Sequence, residues 1–222
     1  FVGRKLVTKF RDAGYRTTAL DITNPKIEGI EFIECDIGQE IEIDQNKIPT
    51  GAIFVHLAAL STDNLCKAAP KKALEVNLVG TTRVAELATQ ASASQLIFAS
   101  SEWVYPENTE VLLQTESDTL SLESLNSLYA MTKLMGENLL RATCLVPTTV
   151  LRFGIVYGPR STPGSAPESI AHRVSLGEDV SIGSGATSRR FIYVDDLIDG
   201  IFAVAIDPNN VKNQIFNLAG DT

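Results

Sequence analysis

The chain of 222 residues has room for one large α/β domain, or one such domain with part of a second. Its formal net charge of −8 excludes a surface built to grip nucleic acid, which needs clustered Lys and Arg, but leaves an anion held by backbone N–H groups possible. No apolar stretch reaches the roughly 18 residues of a membrane span. Cys35, Cys66 and Cys144 lie far apart without a CxxC pair, which reads as reduced thiols in a soluble, cytoplasmic protein and not as disulfides or a metal site.

Taken in chain order, residues 4–13 carry apolar positions at helical spacing, and Gly14 stands where a left-handed residue closes a helix. Short β-branched runs at 17–20, 30–33 and 52–56 predict strands. A long helical pattern over 71–91 follows, then a strand at 95–98, a helix over 127–142 and a strand at 148–153. Residues 161–169, rich in Ser, Pro and Gly, read as a loop leaving that strand. Helices over 167–176 and 195–206 and a strand at 215–218 complete the chain. Strands alternating with helices, most of them without polar alternation, predict a doubly wound parallel sheet covered on both faces, a Rossmann-like α/β fold. The boundary expected near the loop divides a nucleotide-binding core, 1–160, from a partial substrate-facing region, 161–222, whose later elements return to the core.

In a doubly wound fold the first strand sits at the sheet centre and feeds a glycine turn into the first helix. Phe1-Val2-Gly3 enters a helix directly. The expectation is therefore that about ten residues carrying the first strand and two glycines precede Phe1.

Gly3 takes its meaning from Asp21, at the end of the next strand. A carboxylate about 20 residues past a glycine turn accepts both ribose hydroxyls of NAD and repels the 2′-phosphate of NADP. Asp21 equally suits a residue that starts the turn 21–25, and Asp36 suits either a partner for an adenine amino group or a turn aspartate. The small residues after His56, in Leu57-Ala58-Ala59, let a pyrophosphate approach the backbone. His56 itself reads as a catalytic group or as a histidine fixed by loop hydrogen bonds.

The strongest local chemistry is Ser100-Ser101 after one strand, with Tyr129 and Lys133 four residues apart on the next helix. That spacing puts phenol and ammonium on one helical face. A nearby cation is expected to lower the tyrosine pKa from about 10 towards neutrality. So tuned, Tyr129 exchanges a proton with a substrate hydroxyl while a cofactor exchanges hydride at the same carbon, and Ser101 orients that oxygen.

Together these motifs resemble the extended short-chain dehydrogenase/reductases, the NAD-dependent epimerase/dehydratase family. The likeness runs from Gly3 to about Asn217 and includes Asp36-Ile37, Asn77, Val104-Tyr105, Leu151-Arg152-Phe153, Gly158-Pro159-Arg160 and the segment 189–196. The resemblance implies bound NAD near Gly3, Asp21, Asp36, Ile37, Leu57, Ala58, Ala59, Asn77, Tyr129, Lys133 and Phe153. It implies Tyr129 as acid/base, Ser101 as its helper and Lys133 on the nicotinamide ribose. It also implies a nucleotide-sugar substrate contacted by Ser101, Glu102 and Arg189, the last at the end of the GxGxxxR segment 183–189. No metal is implied. The chain departs from the common pattern at Ile155 (Asn in many relatives), Arg190 (Asp) and Pro106 (Gly).

Sugar 4,6-dehydratases of that family follow the serine/threonine with Asp and Glu; here Glu102 and Trp103 stand there. An indole cannot abstract a proton. The expectation is therefore an epimerase working through a transient keto sugar. The alternatives are a net dehydrogenase or reductase of a sugar or other small hydroxy compound, and a non-catalytic NAD-binding module. The helical patterns at 71–91 and 127–142 resemble the pair that forms the family's homodimer interface, and relatives continue past Thr222 into more of the substrate lobe.

Overall fold

A computed structural model describes residues 1–44, 47–106, 114–182 and 189–220. Helix α1 (Val2–Asp12) leads to strand β1 (Thr18–Asp21), which pairs in parallel with β2 (Glu31–Glu34). Gly14, at φ +85°, ends α1 as expected. The Tyr15 N–H donates to Phe10 O and the Gly14 N–H to Arg11 O, the pairing of a Schellman cap, and the Phe10 and Tyr15 rings meet edge-on at 5.7 Å.

A second parallel sheet has the order β3 (Ile53–His56), β4 (Gln95–Ser101), β5 (Thr148–Phe153), β8 (Ile215–Leu218). All seven residues of β4 are buried. Leu96 and Phe98 join the apolar layer that also holds Val84, Ala88 and Leu140, whereas Ile97 joins the layer holding Leu6, Leu197 and Ile201. This alternation separates the two helical layers. Helices α4 (Gly80–Gln90) and α5 (Leu128–Thr143) cover one face, and α1 and α7 (Val194–Ile206) cover the other. The doubly wound reading holds. Among the described residues no ladder joins the β1–β2 pair to the four-stranded sheet, and α1 begins at Val2 with no described strand ahead of it.

Several boundaries differ from those expected. Strand β4 runs three residues past 98, because Ala99, Ser100 and Ser101 pair with Leu151, Arg152 and Phe153 of β5. Ser100 and Ser101 are thus part of the strand, not of a loop after it. The pattern at 71–91 comprises α3 (Pro70–Leu74), a π-helical segment (Glu75–Val79) and α4. The expected loop at 161–169 ends early, since α6 (Ala166–Ser175) starts on a Ser-x-x-Glu signature in which the Glu168 carboxylate accepts the Ser165 N–H at 2.9 Å.

Helix α2 (Asp63–Ala68), α8 (Pro208–Val211) and the parallel pair β6 (Ile155–Tyr157) and β7 (Phe191–Tyr193) are too short to leave a periodic signature. Gly154 turns the chain from β5 into β6: its N–H donates to Leu218 O at 2.8 Å, and the next N–H, Ile155, crosses to Arg190 O at 2.9 Å. Among the described residues no helix is long and apolar enough to cross a membrane.

A Cβ at Gly154 would lie 2.8 Å from Arg190 O and 3.0 Å from Ala219 Cβ. Gly154→Ala is therefore expected to destabilise the protein by about 1–3 kcal/mol, read as a lower urea midpoint. An unchanged midpoint would contradict the close packing of the strand switch.

Candidate active site

The parallel strands bring the residues read from the sequence to their C-terminal ends. Gly3, in the first turn of α1, lies beside Leu57, whose Cδ1 is 3.7 Å from an ideal Gly3 Cβ position. Arg4 donates to Pro25 O at 2.7 Å, holding the segment after β1 to the same turn. That first turn carries no acidic side chain, as a site for an anionic pyrophosphate requires. Asp21 is exposed at the end of β1, where Oδ1 accepts the Thr23 N–H at 3.0 Å; Asp36, also exposed, accepts the Gly38 N–H at 2.9 Å. Both carboxylates shape turns, and each is exposed to solvent. Ala58 is exposed, while Leu57 and Ala59 are half-buried. Ile37 differs: its side chain sits in the core, so any part it plays at a nucleotide is through its backbone.

Asn77, on the π-helical segment, is buried and serves the protein at both ends of its amide. Oδ1 accepts the Leu60 N–H at 2.8 Å; Nδ2 donates to Leu60 O at 3.2 Å and to Thr132 Oγ1 at 3.0 Å. It clamps the end of the 57–60 segment to α5. His56 is buried, with Nε2 3.0 Å from Thr81 Oγ1, and burial, followed by the Lys133 charge, pushes its pKa down to about 3. It is a neutral structural histidine, the second of the two readings left open by the sequence.

Ser101, Tyr129 and Lys133 do converge. The Ser101 hydroxyl lies close enough to the Tyr129 phenol to pull its pKa down, and the Tyr129 ring packs edge-on to Trp103 at 6.4 Å. Ser101 stands opposite Phe153 in the ladder and caps the short 3₁₀ turn Glu102–Val104 by accepting the Trp103 N–H at 3.3 Å. Helix α5 is aimed by its own cap. Ser127 Oγ accepts the Ala130 N–H at 3.1 Å and donates to Asp63 at 2.9 Å, which also accepts the Tyr129 N–H at 3.3 Å. Lys133 is buried, donates to Ala99 O at 2.8 Å, and places its ammonium 5.9 Å from the Tyr129 ring centre.

The electrostatics correct one expectation. The Tyr129 pKa does not fall towards neutrality: desolvation raises it to about 12, and only the Ser101 hydrogen bond opposes this. Lys133, lowered to about 8 by burial, spends a donor on the Ala99 carbonyl and sits too far from the phenol to outweigh its desolvation. Glu102, half-buried, is raised to about 7 by burial although Arg189 and Arg190 pull it down.

Arg189 is exposed just before β7 and lines a cleft with Tyr157, Phe191, Tyr193 and Asp196. The structure brings it within electrostatic range of Glu102, which follows Ser101 in the chain. Residues 183–188 of the glycine segment lie outside the described residues.

The sequence reading missed the support beneath this cluster. Glu137, one turn beyond Lys133, is buried against Arg152 of β5, with Arg152 Nη2 2.8 Å from Oε2 and Nε 3.1 Å from Oε1. Ser100 donates its hydroxyl to Glu137 Oε1. Arg152 also reaches Tyr105 OH at 2.9 Å, and Tyr105 OH donates to Asn217 of β8 at 2.8 Å. The signal was present: Tyr129, Lys133 and Glu137 recur every four residues along one helix face.

Two titrations follow. Tyr129 is expected to remain a phenol to about pH 12 in the protein without nucleotide; ultraviolet difference titration against Tyr129→Phe checks this, and a phenolate signal belonging to Tyr129 below about pH 9 would contradict it. Glu102 holds its proton in the folded protein from its ordinary 4.5 up to about 7, so stability falls as pH rises through that window. Melting temperature should show this fall in the wild type and a flatter profile in Glu102→Gln.

Comparison with known proteins supports the motif reading. Residues 1–219 match the family model "NAD dependent epimerase/dehydratase family". A probable UDP-glucuronate 4-epimerase of Rhizobium meliloti is 31% identical over 167 residues, covering 73% of this chain and 48% of that protein. The structure of MoeE5 in complex with UDP-glucose and NAD superposes with a TM-score of 0.86 at 25% identity, covering 100% of this chain and 74% of that one. UDP-glucose 4-epimerase of Thermotoga maritima shares the fold with a TM-score of 0.82 at 23% identity, over 99% and 74% of the two chains. The chain thus spans about half the length of the first of these relatives. From its motifs, their order along the sheet and this match over nearly its whole length, the chain belongs to the NAD-dependent epimerase/dehydratase family.

Proposed function

We propose that the protein is an NAD-dependent epimerase of a nucleotide sugar, inverting one hydroxyl-bearing carbon through a transient keto sugar. The observation that carries this reading is the meeting of Ser101, Tyr129 and Lys133 at the C-terminal edge of β4. Relatives named as UDP-glucuronate 4-epimerases support the choice of reaction, and MoeE5, solved with UDP-glucose and NAD, supports a UDP-linked substrate.

The residues fit the cofactor. Asp21 offers a carboxylate to the adenosine ribose, Asp36 and the Ile37 backbone flank the adenine position, and Gly3 with Leu57, Ala58 and Ala59 leaves close backbone approach for the pyrophosphate. Asn77 fixes that last segment without needing to touch the ligand itself, and Phe153, opposite Ser101, supplies an apolar wall. NAD, when bound, supplies reversible hydride exchange at the sugar carbon. Tyr129 takes the proton of the reacting hydroxyl on its phenolic oxygen and returns it when the new configuration forms, and Ser101 Oγ holds the same sugar oxygen in line. Lys133 contributes positive charge that favours the phenolate and a donor for the nicotinamide ribose. Because Tyr129 is held as a phenol by desolvation, its deprotonation needs added positive charge in the assembled site. Arg189 suits the substrate diphosphate and Glu102 the sugar, with Arg190 adding charge to the same mouth.

Residues 1–160 form the nucleotide-binding part in this reading, and 161–222 a partial substrate region whose α7 and β8 return to the core. A homodimer through the helices at 71–91 and 127–142 is supported by exposed Leu74, Val79 and Met135, and sedimentation showing only monomer would rule it out. Three free thiols fit the reducing cytoplasm.

Proton NMR of the intact protein with UDP-glucose, UDP-N-acetylglucosamine and UDP-glucuronate should show conversion of at least one to its 4-epimer without net NADH release. Tyr129→Phe should lower kcat by at least about 100-fold. NADH accumulating in proportion to substrate would replace the epimerase with a net dehydrogenase, and full activity in Tyr129→Phe would refute the catalytic assignment.

A further inference from the structure

Buried beneath the proposed catalytic pair is a charge that the reaction itself does not use. Glu137 is 6% and Arg152 3% exposed, and their side chains are bound through both carboxylate oxygens. A buried ion pair is a poor source of stability compared with apolar packing of equal volume. Its value lies in fixing geometry, and the geometry here is specific. Glu137 Oε1 receives the Ser100 hydroxyl as well as Arg152 Nε, so one oxygen ties the end of β4 to α5 and to β5. Ser101, the neighbour of Ser100, faces Tyr129 closely enough to lower its pKa. Tyr129, Lys133 and Glu137 lie one above the other on α5, so a single helix face carries the proposed acid/base, its cation and the anchor of the strand that positions the serine.

We infer that Glu137 is a positioning residue for this site, locking the Ser100–Ser101 end of β4 against the Tyr129/Lys133 face of α5, with Arg152 as its paired counter-charge. The inference rests on the proposed roles of Ser101, Tyr129 and Lys133. Arg152 extends the lock: its guanidinium stacks 4.9 Å from the Tyr105 ring centre and bonds Tyr105 OH, which ties in Asn217 of β8. The Asn217 N–H in turn donates to Glu116 at 2.7 Å.

Glu137 also acts on Lys133 through space: burial lowers the Lys133 pKa to about 8, and Cys66 and then Glu137 are the attractions that oppose that fall. The groups facing Lys133 are neutral His56 from β3, Cys66 from α2, the Ala99 carbonyl and Phe98 ring from β4, and Tyr129 and Glu137 on its own helix; Arg152 of β5 stands behind Glu137. Removing the Glu137 charge withdraws an attraction that favours the ammonium and leaves the Arg152 charge unopposed. Lys133 then releases its proton at lower pH, and activity is lost earlier as pH rises.

The test compares kcat–pH profiles of the intact wild type, Glu137→Gln, Ser100→Ala and Tyr129→Phe. Glu137→Gln is expected to lower kcat about tenfold with little change in KM and to move the alkaline limb down by about one pH unit. Ser100→Ala, which keeps both charges, is expected to lower kcat severalfold without moving that limb. A Glu137→Gln protein with native circular dichroism and an unmoved limb would overturn the inference, since a merely structural role changes stability and not the limb. Should Glu137→Gln fail to fold, Ser100→Ala decides the matter alone: wild-type kcat overturns the lock. Activity surviving in Tyr129→Phe would instead refute the catalytic reading beneath it.

Discussion

The serine side of this site is placed by one strand that is buried along its whole length. All seven residues of β4 are buried, so its backbone N–H and C=O groups depend on lateral partners, β3 on one side and β5 on the other. Its side chains serve two apolar layers in alternation, Phe98 in one and Ile97 in the other. A shift of one residue would exchange those layers and place apolar side chains against the wrong helices. Register is therefore fixed over the whole strand. The last two residues, Ser100 and Ser101, inherit that precision at the place where the sheet opens to the ligand side. Exposed contacts such as Lys5–Asp195 and Lys9–Asp199, 2.6 Å each between α1 and α7, add little by comparison, because solvent screens them.

A second constraint is electrostatic. The buried layer at the head of α5 holds His56, Lys133, Glu137 and Arg152 within a few side chains of each other. Two of them have strongly shifted pKa values, each with a cause. His56 has no room for a proton because burial disfavours its cation and Lys133 repels it. Lys133 keeps its proton at neutral pH although desolvation opposes it, helped by Glu137. Glu137 and Arg152 are paired through both carboxylate oxygens, and Ser100 and Tyr105 fill further hydrogen-bonding positions. Removing one member of such a pair typically costs about 3–5 kcal/mol, far more than the pair contributes when intact, because the remaining charge is stranded. The arrangement makes the site intolerant of partial change, and that rigidity is what aims a phenol and a hydroxyl at one oxygen.

Much of this was legible in the sequence. The strands at 17–20, 30–33, 52–56, 148–153 and 215–218 carried short runs rich in apolar and β-branched residues, most without regular polar alternation, and the structure has strands at each. The Tyr129–Lys133 spacing was legible because helix geometry turns a four-residue interval into adjacency. Three things were not. The π-helical turn at Glu75–Val79, which presents Asn77, comes from a change in hydrogen-bond pitch that leaves apolar spacing nearly intact. Strands β6 and β7 are three residues each, and their pairing depends on Gly154 meeting Arg190 from far along the chain. The Glu137–Arg152 pair joins a helix to a strand, and neither residue announces its partner locally.

The tyrosine shows most clearly why a motif and its chemistry are separate matters. Spacing alone suggested a phenol made acidic by its neighbour. In three dimensions the same compact packing that brings Lys133 near also strips water from the Tyr129 hydroxyl, and desolvation wins, raising the pKa to about 12. A protein that held a phenolate permanently would have to solvate it, which means opening the site. Holding it as a phenol makes proton abstraction depend on positive charge brought in when the site fills. Lys133, bound to the Ala99 carbonyl and protonated only to about pH 8, is poised for that change and not committed to it. The packing that raises the Tyr129 pKa is thus the same packing that makes its reaction conditional on a correctly assembled complex.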